Sequence, residues 1–156
     1  MKHNMFCFQC EQTAGCTGCT GRAGVCGKQA DTANLQDALT GALIALARTI
    51  QGKQTVSAKI SKQIVDGLFT TVTNVNFNDV TIQQRIDAIH RELPAGTADY
   101  NMKKVWDAQE DIRSLKSLIL FGIRGMAAYA YHAMILGYTD AVSYTHLRAH
   151  ETDQYL

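Results

Sequence analysis

Residues 35–50 read LQDALTGALIALARTI and carry a clear helical pattern. Apolar residues recur three and four positions apart along this stretch, as they do on one broad face of an α-helix. They are Leu35, Ala38, Leu39, Ala42, Leu43, Leu46, Ala47 and Ile50. Asp31 or Thr32 is placed to cap the start of the helix, and Gly52 is placed to end it. The stretch therefore predicts a first helix with one buried face.

The same spacing recurs three more times toward the carboxyl end. A second helix is predicted to begin near Ser57, and a third at the capping-box sequence 81–84, TIQQ. The fourth and longest begins between residues 106 and 111 and is stopped by Gly137. We find no convincing alternation of polar and apolar residues at period two. We therefore predict an all-α fold, a helical bundle of three to four main helices over residues 31–140.

The segment 117–136 is apolar and about as long as a bilayer span. Arg124 and His132 interrupt it, and Gly122 and Gly125 weaken it. Charged and polar groups inside a span are costly, so we predict a buried helix of a soluble bundle and no membrane partner.

The overall charge points away from nucleic acid. Charged residues make up 19% of the chain and the formal net charge is +1. No run of Lys or Arg is long enough to form a basic patch. A near-neutral balance of this kind gives no electrostatic attraction to nucleic acid or to anionic lipid.

Five cysteines lie within the first 26 residues, and none follows. They are Cys7, Cys10, Cys16, Cys19 and Cys26. Glycines recur every third residue between Gly15 and Gly27, which suits a loop wrapped around a ligand. The odd number of cysteines, and an amino end without a signal-peptide pattern, favour a reducing, cytoplasmic compartment. Residues 1–30 are therefore predicted to form an irregular Cys/Gly-rich segment that binds a metal or an iron–sulfur cluster.

Four thiolates are enough for a tetrahedral zinc site or for an iron–sulfur cluster. Only five residues separate Cys10 from Cys16, whereas paired CxxC units of zinc ribbons are usually about 15–20 residues apart. This short gap favours iron–sulfur over zinc. The alternative that stays open is a zinc-stabilised helical module that binds a partner protein and has no redox activity.

Several segments closely resemble the amino terminus of hybrid-cluster proteins, also called prismane proteins or hydroxylamine reductases. The resemblance lies in residues 5–13 (MFCFQCEQT), 24–28 (GVCGK), 33–37 (ANLQD), 67–74 (GLFTTVTN), 110–116 (EDIRSLK) and 125–130 (GMAAYA). It implies that Cys7, Cys10, Cys19 and Cys26 ligate the proximal cluster of that family, in the spacing C-x2-C-x8-C-x6-C. Cys16 falls where the family pattern requires no cysteine.

The resemblance also implies an activity. The family reduces hydroxylamine to ammonia and is linked to nitric oxide detoxification. The reaction takes place at a second, Fe–S–O hybrid cluster whose His, Glu and Cys ligands lie in downstream domains. This chain has no cysteine after Cys26, so we expect it to lack the hybrid cluster and to be inactive alone. We interpret it as an electron-transfer oxidoreductase domain from an anaerobic setting, reduced by an electron-donor redox protein.

The spacing of the cysteines bears on the type of cluster. The eight-residue gap before Cys19 resembles family members that carry a [4Fe–4S] cluster. The six-residue gap before Cys26 is nearer to members with a [2Fe–2S] cluster. We expect [4Fe–4S], with [2Fe–2S] as the alternative, because the larger gap differs more between the two types.

Residues 141–156, AVSYTHLRAHETDQYL, depart abruptly from the family pattern. They have no clear amphipathic face and resemble a translated sequencing adapter. We therefore expect an artefactual tail that is foreign to the family and has no stable packing.

Overall fold

A computed structural model describes residues 5–10, 17–53 and 55–138 of the chain. These residues form five helices: α1 (Ala30–Ile50), α2 (Ala58–Thr70), α3 (Asp79–His90), α4 (Lys103–Trp106) and α5 (Glu110–Ile135). Within these ranges there is no strand, only two isolated backbone bridges between Cys7 and Cys19 and between Ala23 and Gln29. The predicted all-α class is confirmed. The single turn α4 was not predicted, because four residues are too few for a periodic pattern.

The middle of α1 lies at the centre of the core. Every residue from Leu39 to Ala47 is buried, so this part of the helix is covered on all sides rather than on the one face predicted. The cover comes from α2, from α3 and from the segment before α4, where the Tyr100 amide donates to the Gly41 carbonyl at 3.1 Å. A Cβ atom at Gly41 would overlap the Tyr100 carbonyl oxygen, so glycine permits this close approach.

The ends of the helices follow the sequence in part. Helix α2 begins next to Ser57, as predicted, and Ser57 caps it by accepting a hydrogen bond from the Ile60 amide at 3.3 Å. Gly52 has φ +76° just after α1, and Gly137 has φ +83° just after α5, so both predicted stops are confirmed.

Two predicted caps are wrong. Gln29 occupies the capping position of α1 without a side-chain hydrogen bond. Thr32 instead donates from Oγ1 to Asp79 Oδ1 at 2.7 Å, which ties α1 to α3. The third helix begins before the TIQQ sequence, because Asn78 Oδ1 accepts from the Thr81 amide at 3.0 Å.

The long helix α5 is buried along only one side. Its buried residues are Leu120, Ile123, Arg124 and Ala127. Its exposed large apolar residues are Ile112, Leu115, Leu118, Phe121, Met126, Tyr129 and Ile135. Among the described residues α5 is the one helix long and apolar enough to cross a membrane by length and composition, and 22% of its most apolar window is buried. The expectation of a buried core helix therefore holds for one face only.

Arg124 fixes the buried side of α5. Its Nε donates to Thr71 Oγ1 at 3.0 Å, and its Nη2 donates to Thr40 Oγ1 at 3.1 Å. The guanidinium therefore joins α5 to α1 and to the end of α2. A buried charge is tolerated when hydrogen bonds satisfy its donors, so this arginine belongs to the interior of the bundle.

Candidate metal centre

The described residues 5–10 and 17–29 form an irregular segment, here called the cysteine loop. Backbone pairing holds its two halves together: the Cys7 and Cys19 amides each donate to the other residue's carbonyl at 2.9 Å. Gly18 has φ +67°, and a Cβ atom there would lie 2.6 Å from the Cys7 carbonyl oxygen. Only glycine fits this position, which sets Cys19 opposite Cys7.

A second turn, formed by residues 24–28, brings the chain back toward Cys7 and Cys19. The Gly24 amide donates to the Lys28 carbonyl at 2.7 Å, and the Gly27 amide donates to the Gly24 carbonyl at 2.9 Å. Gly27 has φ +87°, a conformation that glycine adopts without strain. This turn carries Cys26 at its tip, near Cys7 and Cys19.

The four cysteines proposed as ligands line one pocket that is partly open to solvent, together with residues such as Lys28 and Thr73. Cys7, Cys10 and Cys19 are half-buried, Cys26 is exposed, and all four are free thiols. The fold thus brings residues from both halves of the loop to one place. Cys16 lies outside the described residues.

The cysteine loop is fastened to the bundle on two sides. Thr73, in the turn after α2, donates from Oγ1 to the Gln9 carbonyl at 3.0 Å. On the other side the Phe6 ring lies 5.2 Å from the Trp106 ring. The Arg113 guanidinium of α5 lies 5.2 Å from the Phe8 ring, within the range of a cation–π interaction.

Burial raises the pKa of the Cys7 thiol above its usual value, and the Lys28 ammonium opposes that rise. The ammonium lies 3.8 Å from Cys7 Sγ and donates to Gln9 Oε1 at 3.2 Å and to Gln36 Oε1 at 2.7 Å. If a bound metal displaced the thiol proton, the negative Cys7 thiolate would therefore lie beside the positive Lys28 ammonium.

A single metal ion and a multi-iron cluster need different arrangements of ligands. Within residues 5–10, 17–53 and 55–138, no three His, Cys, Asp or Glu side chains converge tightly enough to hold a single metal ion. The four thiols instead surround a pocket. In a cluster the four thiolates are divided among several irons, so the ligands need not meet at one point. The donor atoms of this arrangement are therefore those that an iron–sulfur cluster takes.

A sequence model described as the Prismane/CO dehydrogenase family matches residues 5–153. That range is nearly the whole chain and contains all four cysteines of the pocket. The chain belongs to this family.

Curated relatives agree with the prismane assignment. The chain is 37% identical to a hydroxylamine reductase of Solidesulfovibrio magneticus, over 92% of this chain and 32% of that protein. It is 40% identical to a hydroxylamine reductase of Methanocella arvoryzae, over 87% of this chain and 32% of that protein. It is 38% identical to a hydroxylamine reductase of Desulfovibrio desulfuricans, over 88% of this chain and 30% of that protein. The chain therefore spans about a third of the length of the curated relatives it matches.

The matched range includes residues 141–153, within the segment that the sequence analysis assigns to a foreign tail. Those residues lie outside the described part of the structure. The division into residues 1–30, 31–140 and 141–156 stays a prediction.

Sequence reasoning missed two polar residues of α1 beside the prismane cysteine loop. Gln36 is 1% exposed and holds the Lys28 ammonium. Asp37 accepts from Trp106 Nε1 at 2.8 Å through Oδ2. The available signal was the position of Gln36, because Thr32, Gln36 and Thr40 recur every fourth residue on the buried side of the helix.

The Asp37 carboxyl has an unusual titration. Burial raises its pKa to about 6, against the opposing effects of the Trp106 indole hydrogen bond and of the Arg124 and Lys28 charges. The two cations do not restore its ordinary acidity, so desolvation is the larger effect.

Proposed function

We propose that this chain is the amino-terminal electron-transfer domain of a hydroxylamine reductase. Cys7, Cys10, Cys19 and Cys26 would hold an iron–sulfur cluster, preferably [4Fe–4S]. The observation that supports this most strongly is the shared pocket of these four thiols. When bound, the cluster supplies one-electron transfer.

The protein's own residues would bind and shield that group. Cys7, Cys10 and Cys19 are half-buried against the bundle, which excludes water from one side of the pocket. Cys26 is exposed, so the other side of the pocket lies near solvent, where a donor protein could approach. The aromatic contact of Phe6 with Trp106 holds the inner side of the loop against α4.

The activity is proposed for the complete protein only. The printed names of the relatives support hydroxylamine as the substrate, and the family resemblance supports ammonia as the product and a role in nitric oxide detoxification. The chain covers about a third of those relatives. We propose that the hybrid cluster belongs to the remaining part, that a redox protein donates the electrons, and that the setting is cytoplasmic.

Metal and sulfide analysis of oxygen-free protein tests the cluster. We expect about four irons and four acid-labile sulfides per chain, with broad absorption near 400 nm and an EPR signal after reduction. Two irons and two sulfides would replace [4Fe–4S] by [2Fe–2S]. Colourless protein without sulfide would overturn the proposal, and bound zinc without a visible band would identify the zinc-stabilised binding module instead.

Single Cys→Ser variants test the ligand set. Replacing Cys7, Cys10, Cys19 or Cys26 should each lower the iron content and bleach the visible band, because a cluster loses one of its four thiolates. Cys16→Ser is the matched control and should retain iron, sulfide and colour. Bleaching by Cys16→Ser, with no effect of one of the other four, would assign the ligands differently.

A hydroxylamine assay with a chemically reduced dye tests whether catalysis belongs to the remaining part of the protein. The chain alone should show no turnover, since the proposed catalytic cluster lies in the remaining part of the protein. Turnover by the iron-loaded chain would contradict that assignment, while leaving the ligand set untouched.

A further inference from the structure

Lys28 is a buried cation that points at the proposed cluster site. It is 2% exposed, and its ammonium contacts three neutral groups: the Gln36 and Gln9 side-chain oxygens and the Cys7 sulfur. Among the residues that the structure describes, no carboxylate lies within 4.0 Å of this ammonium. A buried charge without a directly paired counter-charge is costly. Among the described residues the ammonium therefore has no directly paired carboxylate, although its charge also acts on the Asp37 carboxyl at longer range.

The orientation of Lys28 is fixed by a chain of hydrogen bonds. Gln36 Nε2 donates to the Asn76 carbonyl at 2.9 Å, so the other end of that amide presents its oxygen to Lys28. The Phe77 ring lies 5.7 Å from the ammonium on a further side. These contacts hold Nζ 3.8 Å from Cys7 Sγ, so the charge has a defined position relative to the pocket.

A cluster in this pocket would supply the close counter-charge that no described carboxylate provides. Four thiolates outnumber the positive charge of an iron–sulfide core, so the assembled group is anionic, and reduction adds one more negative charge. The reduction potentials of such clusters depend on net charge and on hydrogen bonds to the sulfurs. A cation beside a ligand sulfur therefore favours the reduced form.

We propose that Lys28 is a positioning residue for electron transfer, which acts through the Cys7 sulfur and raises the reduction potential of the cluster. The inference rests on the proposed function. In the step itself one electron passes from a one-electron donor to the iron–sulfide core, and Lys28 neither gains nor loses a proton. Arg22 is exposed, and water and salt screen its charge more strongly.

The test is a potentiometric titration of the iron-loaded full chain, followed by EPR and visible absorption. Lys28→Met removes the charge and keeps an unbranched chain, so reduction should become at least tenfold less favourable, a shift of about −59 mV for one electron. Lys28→Arg restores the charge and should return the potential most of the way. Lys53→Met removes an exposed lysine and should leave the potential unchanged.

A Lys28→Met protein with full iron and sulfide and an unchanged potential overturns the inference but not the proposed function. Wild-type protein without iron and sulfide overturns both. If Lys28→Met does not fold by circular dichroism, Gln36→Glu replaces it. That variant places a carboxylate against the same ammonium, from a residue that does not line the cysteine pocket. It should also lower the potential, and an unchanged value would equally refute the role of Lys28.

Discussion

The helical bundle buries eighteen apolar residues in one continuous core, to which all five helices contribute. The cluster beneath the cysteine loop consists of three buried residues, Met5, Ala30 and Ala33, and only Met5 belongs to the loop itself. Burial of apolar surface is the main favourable term in folding. The bundle is therefore stabilised mainly by its own core, whereas the loop depends on backbone pairing, on its contacts with the bundle through Phe6 and Gln9 and, by our proposal, on the cluster. The two regions should respond to different changes.

The largest expected effect lies in the bundle core. Leu68 is fully buried, so Leu68→Ala should lower the free energy of unfolding by about 2–5 kcal/mol through lost burial and a residual cavity. Urea denaturation followed by circular dichroism measures it. Leu118→Ala is the matched control, since Leu118 is 66% exposed and should change stability by less than about 0.5 kcal/mol. Equal effects would mean that the exposed face of α5 is not open in solution.

The second prediction concerns pH and the boundary between the two regions. The pKa of Asp37 is about 6 in the folded protein and 3.8 as the reference value. Between these values the folded state binds the proton more tightly, so stability falls as pH rises through 6. Asp37→Asn should remove that loss and stabilise the metal-free chain at pH 7–8 by about 1–3 kcal/mol, where the upper end corresponds to the full difference between the two pKa values.

Urea titrations of both proteins at several pH values measure this difference. The two stabilities should converge below pH 4, where Asp37 is protonated in both states. A difference that stays constant from pH 4 to pH 8 would show that the variant acts through packing rather than through the charge.

The third effect is confined to the cysteine loop. Gly18→Ala forces an L-residue to φ +67° and drives its Cβ atom into the Cys7 carbonyl. It should abolish the slow hydrogen exchange of the Cys7 and Cys19 amides while the urea midpoint of the bundle stays the same. Gly27→Ala is the control. Gly27 also has a positive φ, but an added Cβ atom there would lie in open space, so the cost is that of the left-handed conformation alone, about 1–2 kcal/mol. It should weaken the protection without removing it. If Gly18→Ala unfolded the whole bundle, the bundle and the cysteine loop would not differ in what stabilises them, contrary to our prediction.

The smallest effect has the opposite sign. Gly122 and Gly125 lie inside α5, and a Cβ atom at either would meet no atom within 4 Å. Each Gly→Ala change should therefore stabilise the helix by about 0.5–1 kcal/mol. Thermal unfolding measures the gain, and Gly41→Ala, which would overlap the Tyr100 carbonyl, should lower the melting temperature. Destabilisation by Gly122→Ala would indicate that another surface packs on this face.

The sequence predicts most of the bundle because helix periodicity and end signals are local. Ser57, Gly52 and Gly137 act within a few residues of the helix ends they define. The start of α3 was mispredicted because two capping sequences, at Asn78 and at Thr81, compete within three residues. The complete burial of the middle of α1 could not be predicted, since it depends on which distant segments cover it.

The candidate site, too, could be predicted from the sequence only in part. The spacing of the cysteines, together with the family resemblance, predicts which residues should act together, and glycine spacing predicts the loop. The contacts of Lys28 with Gln36 and of Trp106 with Asp37 arise only when α1 meets the loop and α4. Local sequence pattern does not indicate which distant segments come into contact, so neither contact could be predicted from the sequence.

The hydrogen bond from Tyr100 to Gly41 has a consequence for synthesis on the ribosome. Helix α1 is complete at residue 50 and Arg124 reaches it later still, yet even its cover at Gly41 arrives only with residue 100. At usual rates of translation it would wait roughly 3–10 seconds for that cover. During this interval the apolar residues of α1 stay exposed on the nascent chain, and such transiently exposed surface is what makes a folding chain prone to aggregation and open to chaperone binding.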